Sequence, residues 1–89
     1  MSIGNLQVGS SKTMGAGTSA NVKSGQGSLL GFLCTVAGSA SIYDDAATGT
    51  TTPIVTALPL TAGWNPIPVA FANGCYIALT TAAGTAVFV

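Results

Sequence analysis

Charge is the scarcest commodity in this chain. Of 89 residues only Lys12, Lys23, Asp44 and Asp45 are ionised at neutral pH, and they cancel to a net charge of zero. Charged residues make up 4% of the sequence, against about 25% in ordinary soluble domains. Two lysines cannot supply the row of phosphate contacts on which nucleic-acid affinity depends, so no nucleic-acid partner is expected. Histidine and glutamate are absent altogether. That removes the usual general bases, the Ser-His and Cys-His nucleophile pairs and the common zinc ligand sets, so neither an enzyme nor a cofactor or metal is expected. No apolar run approaches the 18 or so residues of a membrane helix, and no membrane partner is expected. Met1-Ser2-Ile3-Gly4-Asn5 has neither a positive n-region nor an apolar h-region, so no signal peptide is expected.

The remaining candidate motifs fail on spacing. Gly4 and Gly9 are spaced as in a P-loop, but Ser10 stands where the lysine belongs. Gly25-Gln26-Gly27 to Gly31 misses the dinucleotide fingerprint by one residue and leads into strand-like sequence, not a helix. Asp44 and Asp45 are neighbours, poorly placed to oppose one another across a sugar. They could join carbonyl oxygens in a weak calcium site, but a solvated turn is the plainer reading.

What is present is a β pattern. Hydrophobic residues, alanine included, reach 48%, and Gly, Ser and Thr dominate the rest. One domain with one modest core fits the length. Residues 1–27 are polar and glycine-rich, with sparse apolar residues at Ile3, Leu6, Val8, Met14 and Val22 and no 3.6-residue period. They read as an extended N-terminal arm, with a loop over Gly9–Gly17 and a first strand over Ser19–Ser24. Residues 28–89 read as the folded domain. Leu30, Phe32, Cys34 and Val36 alternate with Leu29, Gly31, Leu33 and Thr35; both sets are largely apolar, as in a central or doubly covered strand. Ala40 and Ile42 continue after a turn at Ala37-Gly38-Ser39. A polar loop follows from Asp44 to Thr52, and Pro53 opens a strand in which Ile54, Thr56, Leu58 and Leu60 share a face.

Gly63 to Ile77 is the most informative stretch. Ile67, Val69 and Phe71 alternate with Pro68 and Ala70, giving one bulky and one small face. Pro66 and Pro68 lack amide donors and point to an edge position or an irregular entry to the strand. Asn73-Gly74 then predicts a type I′ hairpin into Cys75, Ile77 and Leu79. Thr81 to Gly84 predicts a last hairpin into the strand ending at Val89, whose apolar C-terminus must be paired in the sheet or packed in an interface. Six or seven short strands with Gly, Pro, Asn and Asp turns specify an all-β fold, a small antiparallel β-sandwich or barrel, jelly-roll-like. Cys34 and Cys75 fall on bulky strand faces and read as buried free thiols; a disulfide stays open if their strands are neighbours. Trp64, Tyr43 and Tyr76 are the candidates for a ligand platform, with core or interface packing the plainer role for Trp64. A surface so poor in charge tends to associate, which predicts a chain covered by its own copies or by a host assembly.

Gly27-Ser-Leu-Leu-Gly31, Gly38-Ser-Ala-Ser-Ile-Tyr-Asp44, Leu58-Pro-Leu-Thr-Ala-Gly63, Pro66 through Ile77 and Gly84-Thr-Ala-Val-Phe-Val89 together resemble small structural proteins of tailed bacteriophages. The likeness covers about two thirds of the chain and rests on strand-and-turn motifs. It implies a head decoration (cement) protein on the capsid exterior, made in the host cytoplasm. Such proteins are commonly homotrimers at three-fold positions that clamp neighbouring copies of the major capsid protein. Related modules occur in tails and fibres, so a receptor- or glycan-binding β module is the alternative, with Trp64, Tyr43 and Tyr76 as its platform. For the decoration reading, the expected interface residues are Ile3, Leu6 and Val8 in the reaching arm, and Trp64, Pro66 and Pro68 at a contact edge.

Overall fold

The computed structural model describes residues 10–89. The calls on Ile3, Leu6 and Val8 lie outside the described residues. Eight strands follow in order: β1 (Ser10–Met14), β2 (Ser19–Ser24), β3 (Gly27–Val36), β4 (Gly38–Tyr43), β5 (Pro53–Leu60), β6 (Gly63–Phe71), β7 (Gly74–Thr80) and β8 (Ala83–Phe88). They form two four-stranded antiparallel sheets. Sheet A has the order β1-β8-β3-β6, and sheet B the order β2-β7-β4-β5.

The pairs β1:β8, β2:β7, β3:β6 and β4:β5 are those of one long antiparallel hairpin with its tip at residues 44–52. Rolled up, alternate pairs fall into different sheets, and β8–β3 and β7–β4 close each sheet. This is a jelly roll, one of the ways an all-β chain limits its exposed edges. Of the connections between described strands, only β4 to β5 stays within a sheet.

That topology corrects three expectations. β6 and β7 do not pair, so Asn73-Gly74 is not a hairpin turn; the chain there crosses from sheet A to sheet B. Neither Asn73 nor Gly74 has positive φ, which a type I′ turn requires of both its central residues. The turn at residues 81–84 likewise crosses between sheets, from β7 to β8. Nor is Gly9–Gly17 a loop throughout: Ser10–Met14 is a strand paired with β8, and Met14 is buried. The sandwich therefore takes in described residues expected in the arm, with β1 and β2 both built into it.

Inner faces supply the core. Sheet A contributes Met14, Leu29, Phe32, Cys34, Ile67, Phe71 and Ala86, and sheet B contributes Val22, Ala40, Ile42, Leu60, Cys75, Ile77 and Leu79. The bulky face read for Ile67, Val69 and Phe71 is the inward one, with Val69 only partly buried.

In β3 the phase differs from simple alternation. Leu29, Phe32 and Cys34 point inward, whereas Leu30 is half-buried and Leu33 and Val36 are exposed. The cause is a bulge. Leu29 and Gly31 pair with the consecutive residues Phe88 and Val87, which leaves Leu30 as the extra residue. In β5 an extra residue lies between Val55 and Leu58; Ala57 takes a left-handed φ of 51° there and its amide donates to Ser41 Oγ. Ile54 and Val55 consequently both pack partly against the core, while Thr56 is exposed.

Both thiols are free and buried, in opposite sheets. Burial, with a smaller contribution from the charge of Asp44, pushes the Cys75 thiol up to about 12. The Cys34 thiol donates to the Val36 carbonyl. The C-terminus is tied in: Val89 and Ser28 exchange both backbone hydrogen bonds.

Candidate functional site

All four prolines stand on two strands, Pro53 and Pro59 on β5 and Pro66 and Pro68 on β6. These are the open edges of sheet B and sheet A. Proline in an edge strand leaves its nitrogen facing away from the ladder, so the edge offers fewer donors to an incoming strand. The expected edge position of Pro66 and Pro68 is met. Any partner of β6 must dock mainly through side chains.

On β6, Trp64, Pro66, Pro68 and Ala70 are exposed, opposite the inward Ile67 and Phe71. Trp64, Pro66 and Pro68, expected at a contact edge, thus lie on one exposed face of the edge strand β6. Register extends that face across the sheet: Trp64 lies beside Leu33, Leu33 beside Thr85, and Thr85 beside Thr13. Leu33 is 49% exposed and Trp64 50%. Leu33 belongs to the face although no expectation singled it out. The signal was present in β3, where both residue sets are apolar.

Gly31 explains how the indole lies. A Cβ there would sit 2.5 Å from Cζ2 and Cη2 of Trp64. The ring covers the bare backbone of Gly31 diagonally across the strand pair, a close approach that only glycine permits. Asn65 holds the strand entry behind it. Its Nδ2 donates to the carbonyls of Thr61 (2.8 Å), Gly63 (3.1 Å) and Phe32 (3.3 Å), and its Oδ1 accepts from the Thr61 amide at 3.1 Å. Towards the other end of β6, an open cleft of about 320 Å3 is lined by Ser28, Leu29, Leu30, Pro68, Val69 and Ala70. It lies where the two strands fall out of step, between Leu29 and Gly31 on β3 and Val69 and Pro66 on β6.

Tyr43 and Tyr76 pair in sheet B, with ring centroids 5.9 Å apart. They alternate with the buried Ile42, Cys75 and Ile77, so they lie on the outer face of sheet B, opposite Trp64. The three aromatic residues do not form one platform. No family model, curated protein or solved structure matches the chain.

The two aspartates are structural rather than free in solvent. Asp44 accepts from the amides of Asn73 (2.7 Å), Ala72 (3.1 Å) and Gly74 (3.3 Å), pinning the 44–52 loop to the β6–β7 crossing. Asp45 Oδ1 accepts from the Ala47 amide. Asn21 Nδ2 and Ser24 Oγ add donors to the carbonyls of Asp45, Ala46 and Ala47. No cluster of three His, Cys, Asp or Glu exists among the described residues.

The amides of Asn73 and Ala72 hold the Asp44 carboxyl below its ordinary 3.8. A depressed native value means that stability is present above 3.8 and is lost as pH falls through the native value. Asp44→Asn should therefore lower the melting temperature at neutral pH, with a smaller deficit relative to wild type at a pH below 3.8. Thermal melts at both pH values test this; a deficit that stays constant through the acid range would refute it.

Proposed function

We propose that this chain is a structural virion protein, a decoration or cement protein on the exterior of a tailed-phage head. In this reading it binds the assembled lattice of the major capsid protein as a homotrimer, without a catalytic step or cofactor. The observation that carries the reading is the outer face of sheet A: it is uncharged, and the indole and Leu33 are left half-exposed. Such a face suits cover by another protein surface. The jelly roll supports the reading without deciding it, since capsid domains, lectins and cupins share that architecture. The likeness of Gly27–Val89 to small phage structural proteins points the same way.

The work such a protein does is mass action. Binding the closed lattice and not its separated subunits shifts the balance toward the shell, by about 2.7 kcal/mol per site at a hundredfold excess over Kd. Several contacts on one oligomer add through effective concentration. The test is to add the purified chain to heads stripped of decoration. It should co-sediment with them and raise their resistance to heat and chelator. Heads that neither bind the chain nor gain resistance would remove the reading.

A further inference from the structure

We propose that the outer face of sheet A is where copies of this chain meet one another. The argument starts from charge. Lys12 alternates with Ser11 and Thr13 on β1 and so lies on the other side of that strand; Lys23 is in sheet B, and Asp44 and Asp45 are in the 44–52 loop. The outward positions of β1, β8, β3 and β6 hold no ionisable side chain. An ordinary protein surface is about a quarter charged. Laid on this face, its charges would lose water and find no partner, which is costly. The face therefore selects a partner surface as neutral as itself, and a second copy of this chain presents one.

Two other occupants fit less well. A sugar stacked on Trp64 needs directional polar partners beside the ring, but the Asn65 amide next to it is spent on Thr61, Gly63 and Phe32. An added strand at β6 meets Pro66 and Pro68, which have no N–H to offer. Size then sets the strength. Four strands about 4.8 Å apart and of about 25 Å mean length cover about 480 Å2. That is short of the about 800 Å2 per partner in a standard stable interface, so association is reversible and concentration-dependent. Trp64, the largest exposed apolar side chain of the face, is the expected energetic centre although it stands near the start of the edge strand β6.

Sedimentation velocity on the full chain over a range of micromolar concentrations tests this, with emission of the single tryptophan as a second readout. Wild type should gain mass with concentration while its emission shifts to the blue. Leu33→Ser, at an exposed position where folding is little affected, and Trp64→Ser should each weaken association by about 30-fold or more. Tyr76→Ser, on the opposite face, should leave it unchanged. A chain that stays monomeric throughout overturns the proposal, as does association that survives Leu33→Ser and Trp64→Ser or is lost only in Tyr76→Ser. Copies that associate but ignore heads remove the capsid reading alone, whereas a monomer that still binds heads removes this assignment together with the homotrimer of that reading.

Discussion

Gly74→Ala is expected to destabilise the protein by about 1–3 kcal/mol, whereas Asn73→Ala should change stability by less than about 0.5 kcal/mol. A methyl group at position 74 would sit 2.5 Å from the Asp45 carbonyl oxygen, 2.7 Å from the Ala46 Cα and 2.8 Å from the Lys23 carbonyl oxygen. All three are backbone atoms; Asp45 and Ala46 lie in the 44–52 loop, held by the hydrogen bonds that Asn21 and Ser24 give to it, and Lys23 lies in β2. None can swing aside as a side chain would. Relief requires moving the 44–52 loop, which loosens the three amide bonds to Asp44. Asn73, by contrast, is exposed and not at positive φ. Denaturant unfolding of the two variants separates the roles. Comparable losses from both, or the larger loss from Asn73→Ala, would mean that position 73 is a strained turn residue after all.

A second contrast lies in adjacent residues of β3. Leu29→Ala should cost about 2–5 kcal/mol, because Leu29 is fully buried and its loss leaves a cavity between the sheets. For a chain this size, total stability is on the order of 4–13 kcal/mol, so the variant should be close to unfolding. Leu30→Ala should cost less than about 1.5 kcal/mol, since Leu30 is the half-buried extra residue of the bulge beside the open cleft. Uninterrupted alternation from Phe32 would reverse the order of these two effects. Urea midpoints with an unchanged m-value are the measurement, and a larger loss at Leu30 would place the bulge elsewhere.

Both contrasts fall where local reading and tertiary structure part. Alternation of Ile67, Val69 and Phe71 against Pro68 and Ala70 correctly identified an inward and an outward face, because side chains on a strand alternate whatever the strand pairs with. Pro66 and Pro68 correctly marked an edge, because a missing N–H is a property of the residue itself. The two cysteines read correctly as buried thiols for the same kind of reason: Cys34 lies two residues from Phe32 and Cys75 two from Ile77, each on the core-facing side of its strand. Pro68 and Ala70 were legible as one small face on these grounds, and the structure adds Trp64 and Pro66 to it. Leu33, their cross-strand neighbour, became part of it only through the β3–β6 register.

The sequence by itself determined that this protein is all β, where most of its strands run, which β6 face is apolar and small, and how little charge it has to place. Only the tertiary structure decided which strands pair. A Gly-containing turn of two or three residues can return a strand beside its predecessor or carry it across the core to the other sheet, and the local chain chemistry is much the same in both cases. The choice belongs to the rolled sandwich, where crossing at 72–73 and 81–82 lets β6 pair with β3, β7 with β2 and β4, and β8 with β1 and β3. The bulges that reset the phase in β3 and β5 follow from that same fit between partner strands, and so does the joining of Leu33 to Trp64 on one neutral surface.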